Sequence, residues 1–291
     1  MTTDTAAGRP QRHFHLNMQA LSIFVAAAAI FVIFGFLNSN FLTVGNLRDI
    51  AVSACVNALI GIGLTFVIIT GGIDLSVGSI ASFVGIVSAN LMVNSGVGAV
   101  PALLVGLVLG FVAGGLNGVL ITLIKLPPFI VTLGTLSIFT AIGLLYSGGS
   151  SISVGQMPLI MNTMGFSFTI GQFTVTFGVI AVVVLALIVA YALSQTAWGR
   201  HVYAVGDDIE AARLAGIQVN RVLLSVYTVA GLIYGFTAWI LIGRAGTASP
   251  NAIVGANLET ITANGFPSDK VRIVTENART LKLDQFGFEA E

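Results

Sequence analysis

Long stretches of this chain carry no charge, and they set its architecture. No Asp, Glu, Lys or Arg interrupts the 35 residues between Arg12 and Arg48, the 24 between Asp49 and Asp74 or the 50 between Asp74 and Lys125. The same holds for the 74 between Lys125 and Arg200 and the 22 between Arg221 and Arg244. A membrane-crossing helix takes roughly 20 apolar residues. The first, second and fifth gaps each hold one such helix. The third holds two, divided at Asn94-Ser95-Gly96. The fourth also holds two, divided by Ser147-Gly148-Gly149-Ser150 and a polar stretch reaching Gln172. The pattern predicts seven spans, over 17–37, 50–70, 75–93, 97–124, 128–146, 174–194 and 221–243. The fold class expected is all-α, a polytopic membrane helical bundle.

Composition removes the alternatives. Of 291 residues, 56% are hydrophobic and 8% charged. Soluble domains carry about 25% charged residues, so this chain cannot clothe a water-facing surface. High apolar content with zero net charge excludes disorder, and the balance of twelve basic against twelve acidic residues argues against a nucleic-acid binder. One cysteine, Cys55, permits neither an intramolecular disulfide framework nor a cysteine-rich zinc site. It reads as a small apolar residue inside the second span. The first span has a long apolar core with no small-residue cleavage site after it, which reads as a retained anchor rather than a signal peptide. Cytoplasmic loops collect Lys and Arg. Placing the N-terminus inside puts Arg9, Arg12, Lys125, Arg200, Arg213 and Arg221 in the cytoplasm and leaves Arg48 and Arg244 outside.

Four segments depart from plain apolar sequence. Gly71-Gly72-Ile73-Asp74-Leu75-Ser76 sets a lone acid among glycines between two spans. Irregular backbone at membrane depth survives where protein buries it or water lines it. The segment is a pivot or pathway lining, with Asp74 as a cap of the third helix or as a proton relay. Gly106, Gly110, Gly114 and Gly118 recur every four residues and form one close-packing face. That face serves packing inside the subunit or a dimer seam, and Asn117 beside it is placed for an interhelical hydrogen bond. Pro127-Pro128 ends one helix and opens the next, a tight turn without chemistry of its own. Residues 195–221 concentrate charge of both signs. There, Asp207 or Asp208 caps a short helix over roughly 208–215, Glu210 suits its first turn and Gly216 ends it. Such a compact peg, joined to two spans by short arms, suits docking onto a soluble partner. His13, His15 and His201 form no ligand cluster, and neither Gly61-Ile-Gly63 nor Gly96-Val-Gly98 completes a nucleotide fingerprint. No nucleophile elbow or P-loop is present, so energy must come from a partner or an ion gradient.

These motifs, in this order, resemble the membrane permease subunit of ribose-type ABC sugar importers. The resemblance rests on Gly71-Gly72-Ile73-Asp74-Leu75-Ser76-Val77-Gly78, Leu116-Asn117-Gly118, Pro128-Phe129-Ile130-Val131-Thr132-Leu133-Gly134, Gly199-Arg200-His201, Glu210 through Ile217, and Arg244-Ala-Gly246 with Ser249 through Ala252. It covers about 40 to 262. It implies a monosaccharide permease, not itself an enzyme, in the bacterial cytoplasmic (inner) membrane. The implied partners are an ABC ATPase subunit, a second permease subunit (a copy or a paralogue), an external sugar-binding protein and membrane lipid. No cofactor is implied on this chain, since ATP and Mg belong to the partner ATPase. By the same resemblance, 208–216 is the coupling helix, with Asp208, Glu210, Ala211, Arg213 and Gly216 facing the ATPase. Gly71, Gly72, Asp74 and Ser76 belong to the family's membrane signature.

The resemblance stops near residue 263. The expected organisation is a leader over 1–16, an incomplete permease domain over 17–263 and a polar tail over 264–291. Nine of those last 28 residues are charged, against 15 of the preceding 263. The family reaches about ten spans, so seven spans and this shift imply a frameshift or fusion that impairs transport. The competing readings are an ion-coupled secondary transporter that uses Asp74, and a non-transporting membrane fragment.

Overall fold

The computed structural model describes residues 18–153, 167–170 and 173–250. Seven long helices occupy the seven expected spans: α1 (Met18–Leu37), α2 (Val44–Ile69), α3 (Val77–Val93), α4 (Ala99–Thr122), α5 (Pro128–Ser147), α6 (Phe177–Gln195) and α9 (Val219–Ala245). Of these, α2, α4, α5, α6 and α9 are long and apolar enough by themselves to cross a membrane, while α3 is a shorter apolar helix. Two further helices, α7 (Ala197–Asp207) and α8 (Ile209–Leu214), link α6 to α9. The leader over 1–16 and the tail over 264–291 lie outside the described residues.

Helix ends differ from the charge-gap limits for a physical reason. The start of α2 is Val44, capped by the Thr43 hydroxyl, which accepts from the Asn46 N–H. The helix therefore takes in Arg48 and Asp49, which pair with each other at 3.0 Å. Likewise α9 takes in Arg221 near its start and Arg244 in its last turn. Charged side chains at helix ends carry their heads out along an apolar stem, so a charge-free window clips such helices short.

The core is built around α9, which packs against α4, α2 and α3. Its buried side chains include Val226, Tyr227, Ala230, Ile233, Tyr234 and Ile240, in one cluster with Leu59 and Phe66 of α2 and Ile80 and Val84 of α3. By contrast α1 keeps Phe24, Ile30 and Phe36 exposed, and two of its rings, Phe31 and Phe34, meet Phe41 just beyond its end. The bundle is all-α as expected, and the described residues add two short ribbons in its connections. Strand β1 (Ile152–Ser153) pairs antiparallel with β4 (Thr247–Ala248), and β2 (Ser167–Ile170) with β3 (Phe173–Thr176). These small ribbons sit in connections at the bundle end away from α8.

Candidate coupling and translocation site

The turn between α2 and α3 is made by its glycines. Gly71 sits at φ +74°, a left-handed conformation that glycine adopts without penalty. Its N–H donates to the Ile68 carbonyl at 2.9 Å and the Gly72 N–H to that of Val67 at 2.9 Å, closing the end of α2. Gly72 is glycine for a different reason. A Cβ there would lie 2.5 Å from the Tyr227 hydroxyl oxygen, so a side chain would expel the tyrosine.

Asp74 follows, 6% exposed. Its Oδ1 accepts from the Ser76 N–H at 2.9 Å and the Ser76 hydroxyl at 2.6 Å, and its Oδ2 from the Tyr234 hydroxyl at 3.2 Å. The Ser76 oxygen in turn accepts from Asn117 Nδ2 at 2.8 Å. Thr132 closes the far side by donating to the Ile73 carbonyl at 3.1 Å. One short turn is thereby tied to α4, α5 and α9. The helix-capping expectation for Asp74 is modified: the carboxylate bonds Ser76, which precedes α3, and not an amide inside the helix. No cation is paired with it among the described residues. A buried carboxylate is costly unless hydrogen bonded, and here three donors meet that need. Two buried atoms near this network lack any partner, Asn117 Oδ1 and the Tyr227 hydroxyl.

The glycine row of α4 lies within the subunit. A Cβ on Gly110 would come 2.5 Å from the Gly231 carbonyl oxygen. One on Gly114 would strike the Tyr227 carbonyl, and one on Gly118 would lie 3.1 Å from the Leu224 backbone. Gly106 instead faces Val84 and Ser88 of α3. The partner row on α9 is Gly231 with Gly235, the same four-residue step, so two backbones meet with no side chain between them.

The α7–α8 segment forms the peg. Asp208 Oδ1 accepts from the N–H groups of Glu210 at 2.8 Å and Ala211 at 3.0 Å, which caps α8. Glu210 and Arg213 pair at 2.5 Å across its exposed face, Ala212 is buried beneath, and Gly216 at φ +82° turns the chain toward α9. The arm before it is not an open connection. It is the amphipathic helix α7, capped by Thr196, with Val202 and Val205 buried and the Trp198 indole N–H donating to Ser225 at 2.8 Å. Gly206 lets α7 rest directly on the Ile69 carbonyl at the end of α2. The peg is thus seated on the same helix end that carries the Gly71–Asp74 turn.

Between peg and turn lies a cavity of about 910 Å³, walled by Thr70 to Gly72, the α4–α5 turn, α8 and the first turns of α9. Lys125 stands in its rim at φ +62°. No group of three His, Cys, Asp or Glu side chains comes together among the described residues.

The segments that make this site fall within one continuous family match. Residues 46–264 fit the family described as the branched-chain amino acid transport system / permease component. The chain belongs to this permease family. The permease is 38% identical over 256 residues to the fructose import permease protein of Rhizobium meliloti, covering 87% of this chain and 71% of that protein. It is 36% identical over 251 residues to the ribose import permease protein of Bacillus subtilis (strain 168), covering 86% and 77%. Against the ribose import permease protein of Escherichia coli (strain K12) it is 33% identical over 265 residues, covering 90% and 81%. No solved structure matches it. With its apolar helices, the permease is a multi-pass membrane protein.

Sequence reasoning missed several residues of the site. Nothing local marks Tyr234, 160 residues from Asp74 in the chain, or Tyr227. Thr132 sits in a motif read as lacking chemistry, yet it holds the Ile73 carbonyl. Gly231 and Gly235 were legible, since they repeat the spacing of the α4 row. So was α7, whose Trp198, Val202 and Val205 lie at helical intervals after a Thr196 cap.

Proposed function

We propose that this permease is the translocating subunit of an ATP-driven importer for a monosaccharide. The observation that carries the reading is its 38% identity over 256 residues to a fructose import permease. Ribose import permeases at 36% and 33% stand beside it, so the proposed substrate class follows these relatives rather than the amino acids of the family description. In this reading α8 seats in the cleft of a separate ABC ATPase, with Asp208 and Gly216 fixing its ends and Glu210, Ala211 and Arg213 on or beside the contact face. The turn around Asp74 moves with it, since α7 joins both to the end of α2. The chain binds no cofactor of its own; ATP and Mg act on the ATPase. A second permease subunit and an external sugar-binding protein complete the importer, in a bacterial cytoplasmic membrane with the N-terminus inside.

Uptake of labelled ribose and fructose in a strain lacking its own transporters tests this, with the cognate ATPase and binding protein co-expressed. ATP-dependent uptake, abolished together with ATPase co-purification by Glu210→Ala plus Arg213→Ala, is the expected result. Uptake that collapses with a protonophore and survives ATP depletion would assign the permease to ion coupling through Asp74. Robust uptake by the chain as it stands would also defeat the expectation that its polar tail disables transport. Neither uptake nor ATPase capture would leave a non-transporting membrane protein.

A further inference from the structure

We propose that the cavity beside α8 binds a phosphate-type anion, carried by the headgroup of an anionic phospholipid or free in solution. Lys125, Arg213 and Arg221 line it, and no Asp or Glu does. Arg213 is engaged by Glu210, whereas Lys125 and Arg221 have no ion-pair partner among the described residues. Two lone cations on separate elements converge on one concavity that no carboxylate lines, which favours an anion there; Glu210 neutralises only Arg213, and Asp74 lies behind Tyr227 rather than in the wall. Arginine and lysine are the side chains that hold phosphate, the first as a planar fork and the second as a point charge.

The backbone adds to the same field. Both α5 and α9 begin at the cavity wall, where Pro127, Pro128, Val219 and Asn220 line it. Helix N-termini carry partial positive charge and favour anions. The independent observation is Tyr227. Its hydroxyl is buried, without a partner and beside Gly72, and both Tyr227, 1% exposed, and Gly72 are among the residues lining the cavity. A phenol buried without an acceptor is an expensive arrangement, and an anion oxygen would relieve it. Gln218 and Asn220 supply further neutral donors on the same wall. The volume, about 910 Å³, exceeds that of a bare phosphate, and Leu126 and Leu223 give the wall apolar surface. Those two features suit a glycerophosphate headgroup at the end of a membrane bundle.

The test uses the full chain purified alone in a neutral detergent, so it is independent of transport and of ATPase docking. Phosphatidylglycerol and phosphatidylcholine are titrated separately and retained lipid is counted by native mass spectrometry. Inorganic phosphate is titrated against thermal unfolding. Phosphatidylglycerol is expected to be retained about fivefold over phosphatidylcholine. Losing the two free cations in Lys125→Gln plus Arg221→Gln should weaken binding about tenfold, and Tyr227→Phe about threefold, the modest net worth of one hydrogen bond. Arg200→Gln, a basic residue of α7 that does not line the cavity, should leave it within twofold. Saturable stabilisation by inorganic phosphate without lipid preference would assign the site to a free anion and keep the proposal. Two results would overturn it. One is no saturable binding of either anion. The other is equal loss in Arg200→Gln with Tyr227→Phe silent, which would reveal diffuse attraction. Because Tyr227→Phe removes a single oxygen, it stays informative if the double variant fails to fold.

Discussion

Asp74 accepts three hydrogen bonds, two from Ser76 and one from Tyr234, and this distinguishes its possible roles. If its work is to organise the turn, an amide can replace the carboxylate, because Asn keeps an oxygen for Ser76. Asp74→Asn should then retain most stability and transport. Asp74→Ala should lose about 3 kcal/mol, since it strands the Ser76 and Tyr234 donors in a buried site. Thermal unfolding in detergent, run beside uptake, reads both. If Asp74→Asn folds normally but abolishes uptake, the charge itself is needed and a proton or ion role gains ground. At this scale the sequence was partly legible. The glycines, Asp74, Ser76 and Asn117 announce themselves by being polar or flexible in apolar surroundings. Tyr227 and Tyr234 do not, because a tyrosine in a membrane helix is unremarkable until the fold shows what its hydroxyl meets.

Two elements differ in how firmly they are fixed. Where α4 crosses α9, backbone meets backbone, so no rotamer change can absorb added volume. Gly114→Ala should cost about 2 kcal/mol through overpacking, because the new methyl strikes the Tyr227 carbonyl and the Gly231 backbone. Gly115→Ala is the matched control. Its Cβ would meet Thr228 Oγ1 at 3.6 Å, an ordinary contact, so the helix propensity of alanine should leave it neutral or stabilised by up to about 1 kcal/mol. Equal unfolding midpoints for the two variants would contradict the packing described. The short α8 is held instead by its cap. Asp208→Ala removes both bonds to the Glu210 and Ala211 amides and should cost about 1 kcal/mol of local stability. Hydrogen exchange should speed at those two amides while α9 is unchanged. Helix existence was readable from the charge gaps and from the Asp208 and Gly216 signals. The α7 arm passes for a plain connection because charged and apolar residues alternate along it, although the Thr196 cap and the helical spacing of Trp198, Val202 and Val205 mark an amphipathic helix, and burial of Val202 and Val205 bears that out.

At the scale of the molecule, the elements sort to two ends. The Gly71–Asp74 turn, the α4–α5 turn at Lys125 and the α7–α8 peg lie together around one cavity. The β1–β4 ribbon joins the segment after α5 to the segment after α9 at the other end, where Arg244 donates to Ser53 Oγ at 2.9 Å near the start of α2. This sorting puts Lys125, Arg213 and Arg221 at one end of the bundle and Arg244 at the other, the same division as the Lys/Arg bias. It also shows what the chain does not bury. The exposed flanks of α1 and α6 are apolar, as lipid or a neighbouring helix demands and water does not. The arrangement has one strong consequence for labelling. With Cys55 buried in α2, single cysteines can report sidedness without background from the native thiol. In right-side-out cells, Ser150→Cys should react with a membrane-impermeant maleimide, while Lys125→Cys and Ala211→Cys should react only after the membrane is opened. The two inner positions must behave alike, because they flank one cavity. If Ala211→Cys were labelled from outside together with Ser150→Cys, α8 would be barred from any cytoplasmic ATPase. If Lys125→Cys and Ala211→Cys fell on opposite sides, the bundle itself would be wrong. The first failure removes the energy source and leaves the fold standing; the second removes the fold.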